Sequence, residues 1–231
     1  MSNELRNKLL DAALNHVPFD GWGGATLVTA AEDIGVSEAD ARAVFPRGAV
    51  EMAAVFHARG DDEMVAKMAG EDFEALRYSE KVAAAVRYRL EVVADKELVR
   101  RGTTLFSLPQ NTAEGARLIW GTADRIWNAL GDTSDDINWY SKRAILSGVY
   151  GSSVLFWLGD TSKDHAATWE FVDRRIANVM QFEKFKGKMR GNEVLNGLFA
   201  IPNSFLSGIK APPKTARDDL PGCWTPKQEN T

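Results

Sequence analysis

The chain has 231 residues, of which 45% are hydrophobic and 26% are charged, and its net charge is −4; this composition is typical of a folded soluble protein with one large domain, or with one domain behind a small N-terminal module. One cysteine and three histidines without HxxxH or HExxH spacing argue against an internal disulfide and a zinc site. The sequence has no run of about 18 apolar residues that would predict a membrane-spanning helix, and its first residues lack the pattern of a signal or transit peptide.

Helical periodicity runs through almost the whole chain, and no segment has the alternation of a strand, so the predicted fold class is all-α. The predicted helices cover about residues 5–17, 26–34, 38–45, 49–68, 79–94, 97–108, 111–130, 137–158 and 164–185. Pro18 is predicted to end the first helix. Thr26 and Ser37 are predicted to cap the next two. Asn111 with Glu114 resembles a capping box.

Charge is distributed unevenly along these segments. Residues 1–60 carry five basic and eight acidic side chains, a net charge of −3, whereas residues 184–217 carry seven basic and one acidic side chain, a net charge of +6. A basic section on an acidic body indicates an anionic surface or partner near the C-terminal end, or a solvated basic linker.

Four regions are predicted from these patterns. Residues 1–48 form a helix-turn-helix-like module, 49–185 a ligand-binding helical bundle, 186–210 a basic linker with an amphipathic segment, and 211–231 a Pro-rich tail that is predicted to be disordered. No GxSxG, Walker A, GxGxxG or ExxH motif is present. The sequence therefore favours a protein that is not an enzyme and uses no metal or other cofactor.

The N-terminal stretch LVTAAEDIGVSEADARAVFPRGAVEMAAVF resembles the helix-turn-helix module of TetR-type regulators, which implies an all-helical protein with a ligand-binding domain behind the module. Its would-be recognition helix carries Glu38 and Asp40 against Arg42 alone, and DNA affinity depends on neutralising phosphates with basic side chains. We therefore expect no nucleic-acid binding. A TetR-type DNA-binding regulator with an apolar ligand is the alternative function.

The string DTSDDINWYSKRAIL at residues 132–146, continued by TWEF at 168–171 and by Asn178, resembles the signature of the ubiquinone (coenzyme Q) biosynthesis lipid-binding accessory family, the ninth Coq protein and its bacterial relatives. The resemblance covers about residues 3–185. It implies a TetR-like fold that does not bind DNA, a site for a lipid or isoprenoid quinone precursor, and a partnership with the demethoxyubiquinone hydroxylase. Without a transit peptide, the expected location is the cytoplasm of a bacterium, peripheral to its inner membrane.

Two aromatic residues stand side by side in this signature, at the start of a predicted helix. Adjacent helical residues point about 100° apart, so Trp139 and Tyr140 cannot both lie deep in the core. With Asp136 and Arg143 they have the composition of an exposed interface hot spot. The resemblance favours these four residues as the partner-binding surface, and the alternative is a tryptophan packed at the edge of the domain.

A lipid cavity is also predicted. Small residues interrupt the apolar helix of residues 137–158 and either permit close helix packing or leave volume for an isoprenoid chain. The predicted lipid-binding residues are Gly148, Gly151, Ser152 and Leu155 on that helix, with Trp120, Trp127 and Trp169 on neighbouring helices. An ordinary Trp-rich core is the competing interpretation. TetR-like proteins commonly dimerise through their last two bundle helices, so a homodimer is expected.

The segment at residues 194–210 is predicted to attach the protein to a membrane surface as an interfacial amphipathic helix, since it is too short to span a bilayer. The alternative is that it packs back onto the bundle. Its apolar stripe and the basic residues before it are Leu195, Leu198, Phe199, Phe205, Leu206 and Ile209, with Lys186 and Lys188.

Overall fold

The computed structural model describes residues 3–190 and 210–212. Within these residues the chain forms ten α-helices and no β-strand, which confirms the predicted all-α class. A short 3-10 turn, Lys163–His165, precedes the last helix. The helices are α1 (Asn3–Asp20), α2 (Gly24–Asp33), α3 (Glu38–Val44), α4 (Ala49–Met68), α5 (Glu71–Glu74), α6 (Tyr78–Glu91), α7 (Lys96–Ser107), α8 (Thr112–Ala129), α9 (Ile137–Gly159) and α10 (Ala166–Arg190).

Two apolar cores hold these helices together, and α4 contributes to both. Met52, near the start of α4, is buried in a core built by α1, α2 and α3, which Leu98 of α7 also enters. Met64, three turns later on α4, is buried in a second core formed with α6, α8, α9 and α10. Trp22 ties the first core to α7, because its indole N–H donates a hydrogen bond of 3.1 Å to the carbonyl of Leu98. The N-terminal module and the bundle therefore share helices.

The observed ends of the helices can be compared with the start and end positions predicted from the sequence. The bounds of α4 match the prediction. The prediction that Pro18 ends α1 is wrong, because the helix continues to Asp20. Pro18 lies in the last turn, where its missing N–H removes only one helical hydrogen bond. The Arg101 guanidinium donates a hydrogen bond to the carbonyl of Pro18 at 3.1 Å, and the N–H of Gly21 donates to the carbonyl of Val17 at 2.8 Å. These two hydrogen bonds stabilise the last turn of α1.

Of the three predicted caps, one is confirmed. Ser37 caps α3, since its hydroxyl accepts a hydrogen bond from Asp40 N–H. The Thr26 cap is wrong, because α2 begins at Gly24 and the Thr26 hydroxyl donates to the carbonyl of Gly21 at 2.7 Å. The capping box at Asn111 is also wrong, because the Asn111 amide donates to the carbonyl of Leu105 instead. The sequence analysis missed α5, which has only four residues.

Candidate functional site

An apolar cavity of about 410 Å³ lies among helices α4, α6, α7, α8 and α9. Its volume is within the range of pockets that bury small molecules. The apolar side chains that line it are Trp22, Ala53, Phe56, Leu90, Val93, Leu98, Val99, Phe106, Ala116, Leu118, Ile119, Val154 and Leu155. Leu155 is also 63% exposed, so the cavity wall reaches the protein surface on α9.

Two glycines in the wall have different effects on the space inside. A Cβ atom on Gly115 would come within 2.8 Å of the Cβ of Phe106, so the glycine permits α8 to approach α7 closely. A Cβ atom on Gly151 would meet only the end of Ile119, at 3.8 Å, and so would occupy space without a clash. Gly151 therefore contributes volume to the cavity, which is one of the two roles left open for the small residues on α9.

One wall of the cavity is polar and forms a connected network. The Arg89 side chain donates to Asp61 from Nε at 2.6 Å and to the carbonyl of His57 from Nη2 at 3.0 Å. The Thr122 hydroxyl donates to Asp61 at 2.9 Å and lies 2.8 Å from His57 Nε2. His57, Arg89 and Tyr150 line the cavity beside this network. A ligand in the cavity would therefore meet this network on one side and mostly apolar side chains elsewhere, with Thr103, Ser107 and Thr112 as the other polar residues of the lining.

The network is electrically balanced at neutral pH. Asp61 and Arg89 form a buried ion pair. Burial and the charge of Arg89 lower the pKa of His57 from 6.5 to about 4, so this imidazole is neutral. Burial raises the pKa of Tyr150. The sequence analysis missed all of these residues, and the only local signal was the placement of His57 and Asp61 four residues apart on one helix.

The residues predicted to bind lipid do not line one common cavity. Gly151 and Leu155 line the 410 Å³ cavity. Trp127 lines a second cavity of about 240 Å³ among α6, α8, α9 and α10. Its indole N–H donates to the carbonyl of Lys142 at 3.1 Å. The predicted lipid-binding residues are therefore divided between these two cavities and other positions.

The other four of these residues, all in the described part of the chain, line neither cavity: Trp120, Gly148, Ser152 and Trp169. Trp120 packs instead beside Trp139, with ring centroids 6.1 Å apart. Trp169 lies under the guanidinium of Arg87, at 4.7 Å. Sequence periodicity identified the helix faces that pack on neighbouring helices. It does not show whether a residue on such a face packs against another side chain or borders a cavity.

The signature aromatics lie at the start of α9. Asp136 caps this helix, because its carboxylate accepts a hydrogen bond of 2.8 Å from Asn138 N–H. Trp139 and Tyr140 are both half-buried, and their ring centroids are 4.8 Å apart in an edge-to-face contact. Neither ring lies deep in the core, which satisfies the geometric requirement that the two adjacent residues are not both deeply buried.

Arg143, one turn later on α9, is buried, so the prediction that it belongs to an exposed cluster is wrong. Its guanidinium donates to Asp124 at 2.6 Å and to Asp132 at 3.0 Å. Because residues four apart lie on one helix face, its guanidinium packs against the Trp139 ring while it reaches the loop that carries Asp132. Arg143 therefore holds the signature loop in place from beneath the surface.

Asp132 is the shared acceptor of this network. Burial alone would raise its pKa, but hydrogen bonds from Lys142, Ser134 and Arg143 outweigh burial and lower the pKa of Asp132 to about 2. The Lys142 ammonium lies 2.7 Å from one carboxylate oxygen, and the Ser134 hydroxyl donates to the same oxygen at 2.8 Å. The conspicuous acidic and basic residues of the signature thus stabilise its loop.

A short C-terminal piece of the chain reaches the same surface. The Tyr140 hydroxyl donates to the carbonyl of Lys210 at 3.3 Å, and the N–H of Ala211 donates to the carbonyl of Asp135 at 2.9 Å. Residues 210–212 therefore lie against the start of α9. The predicted membrane residues Leu195, Leu198, Phe199, Phe205, Leu206 and Ile209 lie outside the described residues, as do the side chains of Lys186 and Lys188 on α10.

The described residues lack the features of two other kinds of site, a membrane-spanning helix and a metal centre. None of their helices combines the length and hydrophobicity needed to cross a bilayer. They contain no group of three or more His, Cys, Asp or Glu side chains that could hold a metal ion. On α3, Arg42 pairs with Glu38 at 2.6 Å, which leaves the would-be recognition helix with little free positive charge.

Comparison with known proteins identifies similar chains. The family model described as COQ9 matches residues 112–183. The probable ubiquinone biosynthesis protein coq9, mitochondrial, of Dictyostelium discoideum is 30% identical over 216 residues, which are 90% of this chain and 68% of that protein. Ubiquinone biosynthesis protein COQ9, mitochondrial, is 29% identical in Rattus norvegicus and 28% in Homo sapiens; each alignment covers 89% of this chain, and 70% and 68% of the respective relative.

A solved structure matches the fold. The TetR transcriptional regulator from Nitrosomonas europaea aligns with a TM-score of 0.62 and 18% sequence identity, over 75% of this chain and 97% of that one. This likeness confirms the predicted TetR-like fold, and at this identity it extends to the fold alone.

Proposed function

Because the chain belongs to the COQ9 family, we propose that it is a non-catalytic accessory protein of ubiquinone biosynthesis that binds an isoprenoid quinone precursor and presents it to the demethoxyubiquinone hydroxylase. The observation that carries the lipid-binding part is the apolar 410 Å³ cavity between α4 and α9. Each methylene-sized group moved there from water contributes about 0.8 kcal/mol.

The cavity suits part of a polyprenyl compound rather than a long chain in full. Its volume accommodates a ring and the first isoprene units. Because Leu155 both lines the cavity and is exposed, the rest of the chain can leave at α9. Native mass spectrometry of the purified protein tests this directly: a bound species with the mass of an isoprenoid supports the proposal. Replacement of Gly151 by Phe, which fills the cavity, should release that species.

The hydroxylase is proposed to bind at the start of α9, where Trp139 and Tyr140 present half-buried aromatic rings. Half-buried aromatic residues are the usual anchors of protein interfaces. Arg143 supports this surface from inside and is not itself available to a partner. Asp136 fixes the start of the helix that carries both rings.

We also propose a homodimer through α9 and α10. On this side of the bundle Phe156 is exposed, and its ring is stacked on Phe171 with centroids 4.5 Å apart. Such a patch of large apolar side chains is a typical protein contact. Analytical ultracentrifugation should give a dimer for the wild type and a monomer for Phe156→Asp.

The alternative function, a TetR-type DNA-binding regulator, has the fold in its favour. The acidic α3, in which Arg42 is paired with Glu38, is unfavourable for phosphate contacts. An electrophoretic mobility shift on genomic fragments separates the two functions. A sequence-specific, salt-sensitive complex at nanomolar protein would favour the regulator.

A further inference from the structure

The polar wall of the cavity presents a hydrogen-bond donor that a ligand can use. Arg89 is 3% exposed, and its Nε and Nη2 atoms donate to Asp61 and to the carbonyl of His57. Its Nη1 atom donates no hydrogen bond to any residue within 3–190 or 210–212. Because Arg89 lines the cavity, an acceptor atom of a ligand can accept a hydrogen bond from this N–H, and a hydrogen bond from a charged donor strengthens binding.

The charge of the wall limits which acceptor fits. Asp61 and Arg89 already neutralise each other, with side chains 5% and 4% exposed. His57 is neutral because burial and Arg89 lower its pKa to about 4. A carboxylate head would add a third, uncompensated charge to this low-dielectric site, whereas a carbonyl oxygen would add none.

We propose that Arg89 orients the ligand, and that a neutral carbonyl or quinone oxygen accepts a hydrogen bond from its Nη1. The head then lies beside His57 and Tyr150, and the apolar chain extends toward Leu155. This inference rests on the proposed function, because it takes the occupant of the cavity to be an isoprenoid compound.

Gly60 allows the guanidinium to be moved without being removed. A Cβ atom at Gly60 would come within 2.8 Å of Arg89 Nη1, so Gly60→Ala must displace that nitrogen. The substitution keeps both charges of the Asp61–Arg89 pair, and alanine is favourable inside the helix α4. It is therefore a second test beside Arg89→Met, which leaves Asp61 without its partner.

The test is calorimetric titration of the delipidated full-length chain with three probes of one skeleton. They are geranylacetone, the hydrocarbon with CH₂ in place of its carbonyl, and the carboxylate of matched length. We expect the ketone to bind the wild type about tenfold to a hundredfold more tightly than the hydrocarbon, the usual range for a hydrogen bond to a charged donor. The carboxylate should bind more weakly than the ketone.

In Gly60→Ala and Arg89→Met, the ratio of the affinity for the ketone to the affinity for the hydrocarbon should fall toward one. Thr103→Val is the matched control, since it removes another hydroxyl of the cavity wall, which donates to the carbonyl of Val99, and should keep the preference. Equal binding of ketone and hydrocarbon to the wild type, or tighter binding of the carboxylate, overturns the inference and leaves the proposed function intact. If no probe binds, lipid binding itself fails and the inference fails with it. If the Arg89→Met variant does not fold, the ketone preference of the Gly60→Ala variant alone tests the inference.

Discussion

The guanidinium carbon of Arg143 lies 3.9 Å from the centre of the Trp139 ring, one helical turn away on α9. Arg143 is itself fixed by Asp124 and Asp132, so a buried ion-pair network sets the orientation of a half-buried indole. An aromatic residue held in this way loses little conformational freedom when a partner binds. The structure therefore separates two roles within one signature: Trp139 faces the surface and Arg143 supports it.

Trp139→Ala is expected to weaken binding to the demethoxyubiquinone hydroxylase by about 2 kcal/mol or more, the typical effect of truncating an interface hot spot. The reason is the loss of the fixed indole surface beside Tyr140. Calorimetry or a quantitative pull-down with the purified hydroxylase measures the change.

Trp169→Ala is the matched control for that experiment. Trp169 is also half-buried and also lies against an arginine, Arg87, but it is on α10 and distant in sequence from Trp139 and Tyr140. The Trp169→Ala variant should bind the hydroxylase with the same affinity as the wild type. If both variants, shown to be folded by circular dichroism, bind with unchanged affinity, the partner surface is not at the start of α9.

Arg143→Gln is expected to destabilise the fold by about 3–5 kcal/mol, because it leaves Asp132 buried without one of its charged partners. Urea unfolding followed by circular dichroism gives the free energy of unfolding. Arg125→Gln provides the comparison, since Arg125 pairs with Asp62 at an exposed position, where such pairs contribute about 0–1 kcal/mol. Equal, small losses in the two variants would contradict a supporting role for the buried network.

The sequence predicted the fold well because helical periodicity and family resemblance both depend on local patterns. It predicted less of the site, for a physical reason. The network around Asp61 joins α4, α6 and α8, and Arg89 is 28 residues from Asp61. No short sequence motif therefore predicts that Arg89 and Asp61 form a pair. Trp120 and Trp169 occupy apolar helix positions like those of the residues around the cavity. Only the three-dimensional packing shows that their rings lie against other side chains and not beside a cavity.

The membrane segment remains a prediction from the sequence. Deletion of residues 191–209, which removes the apolar stripe and leaves residues 210–212 in the chain, is expected to abolish flotation with anionic liposomes. Added salt should weaken wild-type binding, because each Lys or Arg near the headgroups contributes about 1 kcal/mol through screened attraction. Phe19→Asp, at an exposed apolar residue on α1, is the control and should float normally. Flotation of the deletion variant at the wild-type level would place membrane binding elsewhere.

The neutral imidazole of His57 makes stability depend on pH in a defined window. In the unfolded chain a histidine titrates near its usual pKa of 6.5, whereas burial and Arg89 lower the pKa of His57 in the fold to about 4. Between these values the unfolded chain binds a proton that the folded chain does not, so the free energy of unfolding falls as the pH is lowered from 6.5 toward 4. The stabilisation is fully present above pH 6.5, and the loss is about 3 kcal/mol by the bottom of the window.

His57→Gln should remove most of this slope, because glutamine keeps a donor for Thr122 but does not titrate. The measurement is urea unfolding at several pH values between 4 and 7, with the difference between variant and wild type plotted against pH, so that carboxylates common to both cancel. Asp132 also contributes near the bottom of this range, because its pKa is lowered to about 2 in the fold while the unfolded chain titrates at a higher pH, but this contribution is common to both proteins and cancels in the difference. His16→Gln, at a histidine beside Asp33 on the surface side of α1, leaves the buried imidazole in place and should retain the wild-type slope. A His57→Gln curve parallel to the wild type would mean that this imidazole is protonated in the folded protein, and the balanced charge of the cavity wall would no longer hold.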